Sequence, residues 1–205
     1  MAEPAAAATP VVVVDYHMFY LAEPGEPSKA DAPVHAANGL VSSRPGMAVI
    51  FTGASSGSVI LTVQTFTSPP QNAPTEDWEE VVEHSVLAPA GALRVTTVMT
   101  CGPPDLPLLT PSGPGPYRLR VHASGRDMSP DGVAREPRER YLIASWPAPH
   151  QPDHVHHQTD RYGAQLRAAS GPPTPASSAP RLPDHKDAQR EHLRRNLRRI
   201  RQDRA

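Results

Sequence analysis

GPYRLRVHASGRD, residues Gly115 to Asp127, and ERYLIASWPAP, residues Glu139 to Pro149, are the two stretches whose reading decides the fold. In the first, Tyr117, Leu119, Val121 and Ala123 alternate with Arg118, Arg120, His122 and Ser124, so a strand there puts one set on an apolar face and the other on a wet face. The second, Tyr141 to Trp146, is almost wholly apolar and its inward set stays open, because a strand buried on both sides has no alternation to read. The pair reads as the last two strands of an all-β domain.

Working outward, proline is the compositional outlier, 26 of 205 residues. Proline is excluded from helix interiors and central strands, so the ordered elements must be short and separated by loops. Val11 to Glu23 reads as one long strand with Asp15 and His17 on a common face. Gly39 to Ser43 reads as a short strand ending at the turn signal Arg44-Pro45-Gly46. Trp78 to Ala88 and Ala92 to Thr100 add two more. The expectation is an antiparallel β-sandwich of about seven to eight strands over residues 10–149, after a disordered 1–9. A His/Pro/Ser/Ala-rich linker, 150–183, and an Arg-rich helix, 184–205, follow it, the helix with Asp184 as N-cap and arginines near its far end.

The formal charge of −1 hides an asymmetry. Residues 1–150 hold nine Lys and Arg against fifteen Asp and Glu, a net of −6, and the remaining 55 hold eleven against six, a net of +5. Cys101 is the only cysteine, which rules out an intramolecular disulfide and fits a reducing compartment. The start lacks the charge and apolar run of a signal peptide, and no apolar stretch approaches membrane-spanning length, so a cytoplasmic protein is expected.

TGASSG, residues Thr52 to Gly57, looks like the glycine-rich cofactor loop of short-chain dehydrogenases. Such a loop must open a helix, whereas SVILTVQTF follows here and wants to be a strand, so a hairpin with a five-residue loop is expected and no cofactor. His150, His154, His156 and His157 with Asp153 have metal-ligand chemistry, but ligands on a tail must be ordered on binding, and a solvated tract with no metal is the expectation. Glu79, Glu80, Glu83 and His84 offer acid and base groups. On a strand Glu79 and Glu83 share one face and Glu80 and His84 the other, so cross-strand pairing with Arg118 and Arg120 is expected instead. No Gly-x-Ser-x-Gly elbow is present and Cys101 has no sequence neighbour that would lower its pKa, so no catalytic residues are expected. Arg194, Arg195, Arg198, Arg199 and Arg201 are the candidate binding residues, able to neutralise phosphates without reading bases.

GPYRLRVHASGRD and ERYLIASWPAP, together with DWEEVVE and VVVVDYHMFYL, resemble a group of uncharacterised β-sandwich proteins from high-GC actinobacteria over residues 10–149. In strand order and a Gly-x-Tyr-x-Leu/Arg-like entry the layout is similar, more distantly, to the competence nuclease-inhibitor family, in which a short β protein silences a DNA-entry nuclease. That resemblance implies a protein partner such as a nuclease, and it carries over no inhibitory residues. With the charge, it gives the expectation of a non-enzymatic cytosolic binding protein that meets a basic partner by complementary potential. The alternative is a nucleic-acid-associated protein acting through the Arg-rich C-terminal helix, with no membrane role in either case.

Overall fold

Alternation of apolar residues sets the three longest strands, β6 (Ser56–Thr65), β7 (Glu80–Ala88) and β9 (Gly115–Ser124), in the computed structural model. The structure describes residues 4–25, 35–71, 75–97, 102–130, 132–134 and 136–170. β9 pairs antiparallel with β7 and with β11 (Arg140–Pro147), and the inward residues Tyr117, Leu119, Val121, Ala123, Val82, Val86, Tyr141 and Ile143 join Val59, Leu61 and Val63 in one core. The remaining strands are β1 (Ala6–Ala8), β2 (Val11–Asp15), β3 (Met18–Ala22), β4 (Val41–Arg44), β5 (Met47–Phe51), β8 (Arg94–Thr96), β10 (Val133–Ala134) and β12 (His154–Gln158).

The main path runs β12-β7-β9-β11-β6-β2-β3-β5-β4, and β11 and β10 both pair parallel with β6. This is a mixed, curled sheet, a half-barrel, and not the antiparallel sandwich that the sequence suggests. β4, at one end of this path, approaches β7, the strand next to its other end, since the Gly46 N–H donates to the Leu87 carbonyl at 2.8 Å and the Ser43 hydroxyl to the Ser85 carbonyl at 3.0 Å. One backbone bond and side-chain bonds, rather than a ladder, join this seam.

Four local expectations are corrected. Val11 to Glu23 is two strands, β2 and β3, reversed at Tyr16-His17, both with positive φ, 56° and 60°. The expected β5–β6 hairpin does not form, because the β2–β3 hairpin inserts between them and pairs with both. Ala6–Ala8, expected to be disordered, extends the β2 edge along β6. The arginine face of β9 is not wet: Arg118, Arg120 and His122 are buried beneath Trp78, Trp146 and the 150–152 segment.

The expected linker is corrected too. Its first half folds onto the sheet as β12 and a helix, α1 (Arg161–Ala169), N-capped by Asp160. Residues 171–183 and the expected helix 184–205 lie outside the described residues. Among those described, no helix is long and apolar enough to cross a membrane.

Backbone closeness fixes one glycine. A Cβ on Gly53 would clash with the Arg126 carbonyl oxygen, and the Gly53 backbone is held in place by Glu139 and His17. Gly53→Ala should therefore lower the unfolding free energy by about 2–3 kcal/mol, the scale of overpacking a tight site. Urea titration of the two proteins checks this, and coincident midpoints would refute it.

Candidate functional site

Three arrangements bring chemistry-bearing side chains together. The first crosses the seam. Ser43 on β4 places its Oγ 2.7 Å from His84 Nε2, and His84 Nδ1 lies 2.7 Å from Asp153 Oδ1. Asn38 donates to Asp153 Oδ2 at 2.6 Å. Burial pushes the Asp153 carboxyl up, but the hydrogen bonds from His84 and Asn38 outweigh it and hold the group below the usual carboxylate range. The connectivity matches a serine, histidine and aspartate joined through the correct imidazole nitrogens for nucleophile activation. The Ser43 hydroxyl has a second acceptor in the Ser85 carbonyl, so its one proton also serves the seam.

The second arrangement closes one end of the half-barrel beneath α1. Arg126, wholly buried, pairs with Asp160 at 2.6 and 3.0 Å and donates to the carbonyls of Gly39 and Phe51. Asp160 caps α1 by accepting from the Gly163 N–H at 2.7 Å. Glu80, fully buried at the start of β7, meets Arg167 of α1 at 3.1 Å and is hydrogen-bonded to Asp160. Burial, then the neighbouring Asp160 charge, pushes the Glu80 carboxyl up to about 7. Beside it, the N–H groups of Gly53 and Ala54 point at the Glu139 carboxylate at 3.1 and 2.5 Å, and the Tyr141 hydroxyl donates to it at 2.6 Å. The TGASSG loop does cradle an anion, but the anion is the protein's own side chain, and the loop opens strand β6 and not a helix.

The third is the tip next to that closed end. Tyr16 is 69% exposed at the first position of the two-residue turn. His17 is anchored, its ring stacked on Tyr162 of α1 and its Nδ1 3.1 Å from the Gly53 carbonyl. Val11 and Val13 on β2 stand 52% and 55% exposed, opposite Ile60 and Ser58 of β6, and Val133 on β10, opposite Ser56, is 66% exposed. Together these residues place exposed apolar groups on the outer face of three adjoining strands, with Asp15 and Arg140 at their margins.

The residues singled out from sequence are scattered among these arrangements. Glu83 does pair with Arg118 and Arg120, at 3.3 and 2.8 Å, and takes His156 as well. Glu79 instead accepts from the Gly125 N–H, so the Glu79–Glu83 pair does not converge. Glu80 and His84 share a strand face yet serve the closed end and the seam respectively. Asp15 and His17 are divided by the turn. His157 binds the Trp78 carbonyl, and the His154 and His156 rings meet edge to face. Among the described residues no three His, Cys, Asp or Glu side chains are grouped to hold a metal ion. Arg194, Arg195, Arg198, Arg199, Arg201 and Cys101 lie outside the described residues. The triple of Ser43, His84 and Asp153 has no sequence signal, because its members are 41 and 69 residues apart.

No protein-family profile matches the chain, and no curated protein matches it either. Two solved structures are distantly similar. One is the crystal structure of ComJ, inhibitor of the DNA-degrading activity of NucA, from Bacillus subtilis, with a TM-score of 0.46 and 14% identity over 72% of this chain and 99% of that one. The other is described as Crocagin biosynthetic gene J, with a TM-score of 0.40 and 12% identity over 70% of this chain and 98% of that one.

Proposed function

We propose that this chain is a non-enzymatic binding protein that engages a basic protein partner through the Tyr16 tip and the adjoining valine face. The conformation of Tyr16 and His17 carries the reading. Turns of this handedness are met most cheaply by Asn-Gly, and each non-glycine residue forced into the left-handed region costs about 1–2 kcal/mol. Such strain persists where the surroundings over-determine it, and here its product is a solvent-facing tyrosine on a turn whose next residue, His17, is anchored. Exposed aromatic anchors ringed by apolar and polar groups are what protein interfaces concentrate their energy in.

Charge supports the choice of a basic partner. Residues 1–170 carry eleven Lys and Arg against seventeen Asp and Glu, a net of −6. Arg118, Arg120 and Arg126 are buried, and so are Glu23, Glu80, Glu139 and Asp160, so the buried charges largely offset one another and the acidic excess stays with the rest of the surface. Tyr16→Asn relieves the strain while removing the anchor, so it should raise stability by about 1 kcal/mol and weaken the partner at least about tenfold. Capture on wild-type protein, identification of the partner by mass spectrometry and calorimetric titration of wild type and variant measure both. Unchanged affinity, or a partner that is acidic, would sink the proposal.

A second reading, acyl transfer, is supported by the seam. In it Ser43 Oγ attacks an activated ester, its proton passes to His84 Nε2 and on to the leaving alcohol, and water then releases the acyl group. A fluorophosphonate probe tests this directly, since it forms an Oγ–P bond with loss of fluoride. The reading expects an adduct on Ser43 that is lost in His84→Ala; no adduct on the folded full-length chain rules it out.

A further inference from the structure

We propose that α1 is a proton-gated latch: one proton shared between Glu80 and Asp160 holds the helix on the closed end of the half-barrel, and its loss loosens both the helix and the turn that presents Tyr16. The inference rests on the reading of Tyr16 as a binding anchor.

The argument begins with charge. Five ionisable side chains meet at this end in direct contact or through one neighbour: Glu80 from β7, Asp160 at the helix cap, Glu139 before β11, Arg126 after β9 and Arg167 from α1. Fully ionised, they sum to −1, with Glu80, Asp160 and Arg126 out of contact with water and Arg167 partly exposed. One proton makes them neutral. Glu139 already accepts from Gly53, Ala54 and Tyr141, and Asp160 is committed to Arg126 and the Gly163 N–H, which leaves Glu80 to carry it. Protonated, Glu80 donates to Asp160 and still accepts from Arg167. Ionised, it faces Asp160 as a second anion. Elsewhere on the same helix, Asp127 accepts from the N–H groups of Arg161 and Tyr162, and His17 stacks on Tyr162. Tyr141, close to Arg126 and Asp160, Tyr162, whose ring lies against the Arg126 guanidinium, and Arg161, paired with Asp127, are the other titratable groups facing the latch.

The sign follows from the displaced carboxyl. Because the folded state prefers the protonated form, the stability contributed by Glu80 is complete below its ordinary value of 4.5 and is lost as pH rises through about 7.

Contact carries the change to the turn. The backbone of Arg126 lies against Gly53, and the 52–55 loop holds the turn through three bonds: His17 N–H to the Ser55 carbonyl, Thr52 N–H to the His17 carbonyl, and His17 Nδ1 to the Gly53 carbonyl. Tyr162 presses on the other side of the His17 ring. A strained turn clamped from both sides relaxes when either clamp opens.

Hydrogen–deuterium exchange on the full chain, corrected for intrinsic rates and referenced to β6, tests this without any partner. Protection of peptides spanning 161–170 and 14–20 should fall together by about tenfold between roughly pH 6 and pH 8. In Glu80→Gln, whose amide donates to Asp160 and accepts from Arg167 at every pH, both should stay flat. A flat wild-type profile, a wild-type-like fall in Glu80→Gln, or loosening of α1 without the turn would each overturn the latch. Should the Gln variant fail to fold, the paired fall of the two wild-type peptides still decides. Because no partner is added, a failure of the Tyr16 reading appears separately, as unchanged partner affinity in Tyr16→Asn.

Discussion

The ion pair between Arg126 and Asp160 is the constraint from which much of the molecule follows. A guanidinium with no solvent exposure is tolerated only when its donors have partners, and the partners of Arg126 come from three different places in the chain. Asp160 supplies two, the segment before β4 supplies the Gly39 carbonyl, and the end of β5 supplies the Phe51 carbonyl. Satisfying one side chain thus fixes where β4, β5, β9 and α1 meet. The same demand explains why residues beyond 150 fold back at all, since without Asp160 the arginine would be buried and uncompensated. The crowding of Glu80 against Asp160 is then a consequence of serving two arginines in one small space.

Sequence patterning revealed as much of this as local chemistry encodes. β7, β9 and β11 were readable from alternation and apolar runs, and the pairing of Glu83 with Arg118 and Arg120 follows from opposite charges on neighbouring strands. The arginine face of β9 misled because long side chains bury their stems once their heads are paired, so a polar stripe can be an interior one. Tyr16-His17 misled for a different reason. A turn built from residues that dislike it carries no turn signal, and only the surrounding contacts reveal it. The histidine-rich stretch after 150 lacked apolar density, yet β12 needs little of its own, since it borrows the edge of β7.

Site chemistry was less legible than fold. Ser43 and His84 come from strands β4 and β7, which meet only because the sheet curls, Asp153 comes from the segment before β12, and the Glu80–Asp160 contact depends on a helix whose sequence shows a single buried aromatic. In both cases the partners are set by closure of the half-barrel, which no window of sequence contains. The glycine-rich loop makes the same point in reverse: its N–H groups do form an anion cradle, and what could not be read was that Glu139, 85 residues away, fills it.

The parallel pairing of β6 with β11 bears on how the chain is made. Ile60 aligns with Arg140 and Thr65 with Ser145, so the central strand waits about eighty residues for its long neighbour on one side. Loops of that length close slowly, and during synthesis β6 is exposed on that side with Val59, Leu61 and Val63 already patterned for burial. Until Pro147 has left the ribosome the nascent sheet carries an open, apolar edge at its centre, not at its margin, which makes this strand the natural client for a holding chaperone and the natural seed for aggregation when none is at hand.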